Sequence, residues 1–121
     1  MEEKIKQIQV YHKAYNLDKK DNLDEVPEGE AVFGIFAIIH EKPVNCRFVG
    51  ETDNLRKRVR ELFEKAEAEG EGFKEFMQGP WYKLLLYELM PGSKAEDRQK
   101  KVKEWTKEYN PKIDEKGEYP K

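Results

Sequence analysis

At 121 residues, with 40% charged and 37% apolar side chains, the chain is sized for one domain: a single core under a heavily ionised surface. Its formal net charge of −2 excludes the global Lys/Arg excess on which non-specific nucleic-acid binders draw, so any phosphate contact must come from a local patch. No apolar run approaches the ~18–20 residues of a membrane helix, and the single cysteine excludes an internal disulfide framework.

The first thirty residues are read as an N-terminal extension, followed by a main domain over 31–119, with 1–121 forming one domain. In the extension, Ile5, Ile8, Val10, Tyr11, Ala14, Tyr15 and Leu17 mix the helical and strand periods, so a strand or a short helix fits equally. It is expected to pack on the sheet. Residues 18–30 are charged, carry Pro27 and Gly29, and read as a loop. The start MEEKIKQIQV has no apolar stretch of the kind a secretory signal needs, which with the lone cysteine suggests a reducing cytoplasm.

Residues 31–39 are apolar, with the β-branched and aromatic bias of a buried strand, and the turn-prone sequence His40-Glu41-Lys42-Pro43 follows. Val44, Cys46 and Phe48 then alternate with Asn45 and Arg47, the pattern of a half-buried second strand with Cys46 and Phe48 on its inner face. Cys46 there is a small buried hydrophobe. Gly50 permits a positive φ or a close backbone approach. Thr52, Asp53 or Asn54 can cap a helix over 54–69, whose Leu55, Val59, Leu62, Phe63 and Ala66 form one apolar stripe. A short helix around Phe73, Phe76 and Met77 ends at Gly79-Pro80, and residues 81–90 read as a third strand. Ser93 and Glu96 have capping-box spacing for a last helix, with Ala95, Val102, Trp105 and Tyr109 as its buried side. Asn110-Pro111 stops it, and the tail from Lys112 is polar. The order strand, strand, helix, short helix, strand, helix implies an α+β fold with helices packed on a small antiparallel sheet.

Gly34-Ile35-Phe36, eleven intervening residues, Phe48-Val49-Gly50 and then Arg58 eight residues beyond the glycine resemble the GIY-YIG nuclease domain. The resemblance implies a three-stranded antiparallel sheet flanked by helices, here with an extra N-terminal element. It also implies phosphodiester hydrolysis by two tyrosines, an arginine on the phosphate and a glutamate that holds magnesium or manganese. Phe36 and Phe48 stand at the tyrosine positions, and a phenyl ring neither accepts nor donates a proton. Counting back from the closing pattern Tyr109-Asn110-Pro111-Lys112-Ile113-Asp114, the glutamate position falls on Val102, which cannot ligate a hard cation.

Gly34, Gly50 and Arg58 are what remains of the constellation. The expectation is therefore a domain that has lost the hydrolysis and acts as a nucleic-acid or phosphate binding module, with no cofactor. Arg56, Lys57, Arg58 and Arg60 would form its basic patch. Lys94, Arg98, Lys100, Lys101, Lys103 and Lys107 load the last helix and read as a solvated face. One alternative is a divergent endonuclease using Tyr87, Tyr82 or Tyr11 for a hydroxyl and Glu96, Asp97 or Glu104 for magnesium or manganese. Another is a domain that contacts proteins and has no phosphate site. Exposed aromatics such as Trp81, Tyr82 and Tyr119 leave room for a dimer.

Overall fold

Pleating divides the central strand between two cores. In β2 (Ala31–Ile39), Ala31, Phe33, Ile35 and Ala37 enter a large apolar cluster, and Phe36 enters a smaller one on the other face. The computed structural model describes residues 4–39, 42–79 and 82–111. The expectations placed on His40, Glu41, Pro80, Trp81, Asp114, Tyr119 and the rest of the tail lie outside them.

Three more strands complete the sheet: β1 (Ile5–Val10), β3 (Lys42–Thr52) and β4 (Lys83–Leu89). Their order is β1-β4-β2-β3, and every neighbouring pair is antiparallel. The N-terminal ambiguity resolves as a strand. β1 pairs with β4 from Ile5↔Glu88 to Val10↔Lys83, so the extra element extends the sheet at its edge as a fourth strand. Most of β1 is exposed, which is why its sequence lacks clean alternation. Residues 18–30 contain a short 3-10 turn, Leu23–Glu25, and send Leu23 and Val26 into the main core.

The main core lies between the sheet and two helices. In α1 (Leu55–Glu64), Asn54 accepts a cap hydrogen bond from Lys57 N–H at 3.2 Å, and Leu55, Val59, Leu62 and Phe63 are buried. The helix is shorter than the predicted 54–69. Lys65 leaves helical geometry at φ −126, ψ 39, and Ala66–Glu69 continues as a 3-10 turn that still buries Ala66. In α2 (Glu71–Gln78), Phe73, Phe76 and Met77 close the layer. The opposite face of the sheet is covered by α3 (Ala95–Tyr109), where Tyr109 packs on the cluster of Phe36, Cys46 and Leu84.

Three expectations are corrected. The register steps from Ile35↔Phe48 to Phe36↔Cys46, leaving Arg47 as an extra residue in β3. Such a bulge reverses the facing of everything beyond it. Cys46 therefore faces α3 while Phe48 faces the main core against Phe33 and Phe73, so the two do not share an inner face. The cap of α3 sits one residue later than the Ser93/Glu96 reading: Asp97 accepts from Lys94 N–H at 3.2 Å, and Ser93 turns instead to Arg98. Finally, Ala95 is exposed and Val102 half-buried, whereas Arg98 and Trp105 are buried. The inner side of α3 therefore carries a charge.

Candidate functional site

β3 is an edge strand, and its C-terminal half is flanked by α1 and α3. There Gly50, Glu51, Arg58, Gln99, Val102 and Lys103 line an open groove of about 450 Å³. Gly50 and Arg58 thus meet on one surface with Val102, a motif position more than forty residues further along the chain. Each element supplies its part for a local reason. Gly50 leaves room for an aromatic ring, since a Cβ there would come within 2.8 Å of the Phe48 ring and 3.3 Å of Phe33. Its φ is not positive, so it serves close approach and not a turn. Arg58 precedes the buried Val59 in α1 and therefore emerges beside the core. Val102 and Lys103 follow from α3 crossing β3.

Charge in the groove is already partly paired. The Arg58 guanidinium donates to Glu69 at 2.6 Å, with both side chains about one-third exposed. Arg98, 6% exposed, reaches behind the groove: its Nε donates to Glu51 at 2.7 Å and one terminal nitrogen donates to the Ser93 carbonyl and hydroxyl. That geometry orients the Glu51 carboxylate and ties α3 to β3.

The rest of the expected basic patch disperses. Arg56 donates to the Val26 carbonyl at 2.7 Å, and Arg60 bridges Asp21 and Asp24 at 3.1 and 3.2 Å. These arginines hold the extension against α1. Lys57 is exposed.

Neither aromatic motif position lines the groove. Phe36 stands edge-on to Tyr109 with ring centroids 5.3 Å apart, and Phe48 lies 5.1 Å from Phe73 on the other side of the sheet. Gly34 pairs with Val49 in the sheet interior, where a Cβ would press on the Phe36 ring at 3.2 Å. Substitute hydroxyls are not gathered in the groove either. Tyr87 packs on the main core, and Tyr11 and Tyr82 line a cavity at the opposite edge of the sheet. Glu96 is exposed, Asp97 is spent on the helix cap, and Glu104 pairs with Lys101 at 3.6 Å.

The donor set does not fit magnesium or manganese. A hard divalent cation needs several oxygen ligands. The groove's carboxylate is Glu51, already bonded to Arg98, and Val102 offers none. Among the described residues no group of three or more His, Cys, Asp and Glu is placed to hold an ion.

Glu51, Gln99 and Arg98 escaped the reading of the sequence as site residues. Arg98 was detectable, since it falls four residues before Val102 on the inner stripe of α3, where a solvated charge does not belong. No helix among the described residues is long and apolar enough to cross a membrane.

In a comparison with known families, the model of the GIY-YIG catalytic domain matches residues 32–112, about two thirds of the chain. No curated protein and no solved structure matches significantly.

Proposed function

The chain belongs to the GIY-YIG catalytic domain family, and on that premise we propose that it is a member without metal-dependent phosphodiester hydrolysis, whose groove serves as a weak binding site for nucleic-acid phosphate. The observation that carries this reading is the meeting of Arg58, Lys103 and Gly50 with Val102 in one groove. Two cations remain near an accessible backbone, while the wall that would have to supply a carboxylate supplies an isopropyl group. Phe36 and Phe48 support the same reading from the interior, because both are engaged in ring packing that a hydroxyl would not improve.

Arg58 must leave Glu69 to meet a phosphate. Ion pairs at this exposure contribute roughly 0–1 kcal/mol, so the exchange is inexpensive. Weak, salt-sensitive binding is the result, in keeping with a net charge of −2. A second reading, a surface that contacts proteins, is favoured by the internal pairing of Arg56 and Arg60, which removes two cations from any phosphate track.

Anisotropy of a labelled DNA duplex, measured across a salt series, tests the proposal. Expected is binding that weakens with salt, with Arg58→Ala and Lys103→Ala each lowering the slope by about one. Incubation with magnesium or manganese should leave the duplex intact. Cleavage lost on Arg58→Ala would overturn the proposal in favour of a divergent nuclease; absence of binding at low salt would turn it toward protein contact.

A further inference from the structure

The outer edge of the sheet at β1 lies outside the segment that matches the family, since β1 ends at Val10 and the match begins at residue 32. The direction of its backbone groups follows from the neighbouring strands. At the two ends of β4, the Tyr82 carbonyl accepts from Ile38 N–H at 3.0 Å and Met90 N–H donates to the Glu30 carbonyl at 2.7 Å. Even-numbered residues of β4 therefore turn their backbone groups to β2, and odd-numbered ones turn theirs to β1. There Lys83, Leu85 and Tyr87 pair with Val10, Ile8 and Lys6. Ile5, Gln7 and Gln9 are left with N–H and C=O pointing away from the sheet.

One end of that edge is closed. The Asn22 side chain donates to the Gln9 carbonyl at 2.6 Å and accepts from Tyr11 N–H at 3.0 Å, taking the place of a neighbouring strand. Among the described residues nothing pairs with the outward groups of Ile5 and Gln7. An open edge of this kind adds an extended segment through main-chain hydrogen bonds, while alternate side chains set the choice of segment.

The side chains here ask for acid. Lys4 and Lys6 are exposed, and both line an open groove of about 690 Å³ with Ile5, Gln7 and Leu86. Lys101 joins the two lysines on an adjoining surface beside Glu88 and Asp97, of which Asp97 is held by Lys94 N–H. A second copy of the chain fits poorly. Two-fold antiparallel pairing through the outward residues of β1 either sets Lys4 or Lys6 opposite a lysine of the other copy, or needs the Gln9 carbonyl that Asn22 holds. Like charges directly opposite each other destabilise a strand pair, and opposite charges stabilise it.

We propose that β1 receives, as a fifth strand on its free edge, an extended acidic segment of a partner protein with the alternation acidic, apolar, acidic. The apolar residue lies opposite Ile5, on the face that carries Leu86, and the two carboxylates stand opposite Lys4 and Lys6 on the other face. Ile5 and Gln7 supply the main-chain ladder, so the paired stretch is short and the lysines select its sequence.

The test is amide NMR of the isotope-labelled full chain, titrated with a blocked seven-residue peptide that alternates valine and glutamate, and with its counterpart carrying lysine for glutamate. Expected are saturable shifts and slowed hydrogen exchange at the Ile5 and Gln7 amides with the glutamate peptide. The lysine peptide should bind at least ~tenfold more weakly, because both cross-strand pairs turn from attraction to repulsion. Lys4→Glu combined with Lys6→Glu, at two exposed positions, should reverse the preference. The two peptides on the wild-type chain decide the matter without that variant. Equal affinity for the two peptides, shifts confined to the groove at Arg58, or no shift at Ile5 and Gln7 would overturn the proposal. So would shifts at Ile5 and Gln7 that appear on concentrating the chain alone and exclude the peptide, since a second copy would then hold the edge.

Discussion

Lys83 and Cys46 are both buried, and burial acts on them in opposite senses because it disfavours whichever form is charged. Burial pushes the Cys46 thiol up to about 12, a desolvation effect that outweighs the hydrogen bond to the Phe48 carbonyl at 3.6 Å. The thiol should therefore resist maleimide in the native protein and react only on unfolding; rapid native labelling at pH 7 would contradict the burial. For Lys83 the sign runs the other way. Its folded value, about 8, lies below the ordinary 10.5, so below pH 8 the folded state carries the whole cost of an enclosed ammonium. Between about 8 and 10.5 the unfolded chain still holds that proton while the folded one has released it, so stability rises with pH. The gain is up to about 3 kcal/mol. In Lys83→Met, denaturant titrations from pH 7 to 10 should show this component of the alkaline gain missing. A variant that retains the full rise would place its origin elsewhere.

At the level of elements, what could be read from the sequence depended on whether a side chain's neighbours are local. The strands β2, β3 and β4, the short second helix and the stripe of α1 follow from periodicity within a few residues and appear near where they are expected, whereas the mixed periods of β1 leave it open. The Arg47 bulge does not, because an inserted residue leaves the amino-acid alternation intact and changes only the pairing. Nor does the role of Arg98, whose partners Glu51 and Ser93 are 47 and 5 residues away. The groove was half legible: the spacing of Gly50, Arg58 and Val102 implies it, and the Arg58–Glu69 and Arg98–Glu51 pairs that set its charge come from tertiary contacts. Arg98→Met tests the joint between α3 and β3. It removes three hydrogen bonds and leaves Glu51, whose side chain is 24% exposed, without its cation. A loss of about 2–3 kcal/mol is expected in urea unfolding, less than for a fully enclosed carboxylate. The Tyr109–Phe36 contact should loosen with it, visible as shifted aromatic ring signals. A loss under ~0.5 kcal/mol would mean that α3 is held by its aromatic contacts alone.

At the scale of the molecule, the extension and the main domain were read as forming one domain, and the contacts describe how they share a core. Val10, Leu23 and Val26 are each at most 2% exposed within the main cluster, and β1 covers the edge of β4 from Lys83 to Glu88. Three such side chains contribute roughly 1.5–3 kcal/mol each. Their sum, ~5–9 kcal/mol, is of the order of the whole stability of a small domain. Arg56 and Arg60 would also lose Val26, Asp21 and Asp24, so removal strips partners from α1 as well as from the sheet. It further bares β4, and an uncovered edge strand pairs with other chains. A chain starting at residue 31 is therefore expected to lack a cooperative thermal transition and to aggregate. A truncated chain that melts cooperatively as a monomer would refute the shared core.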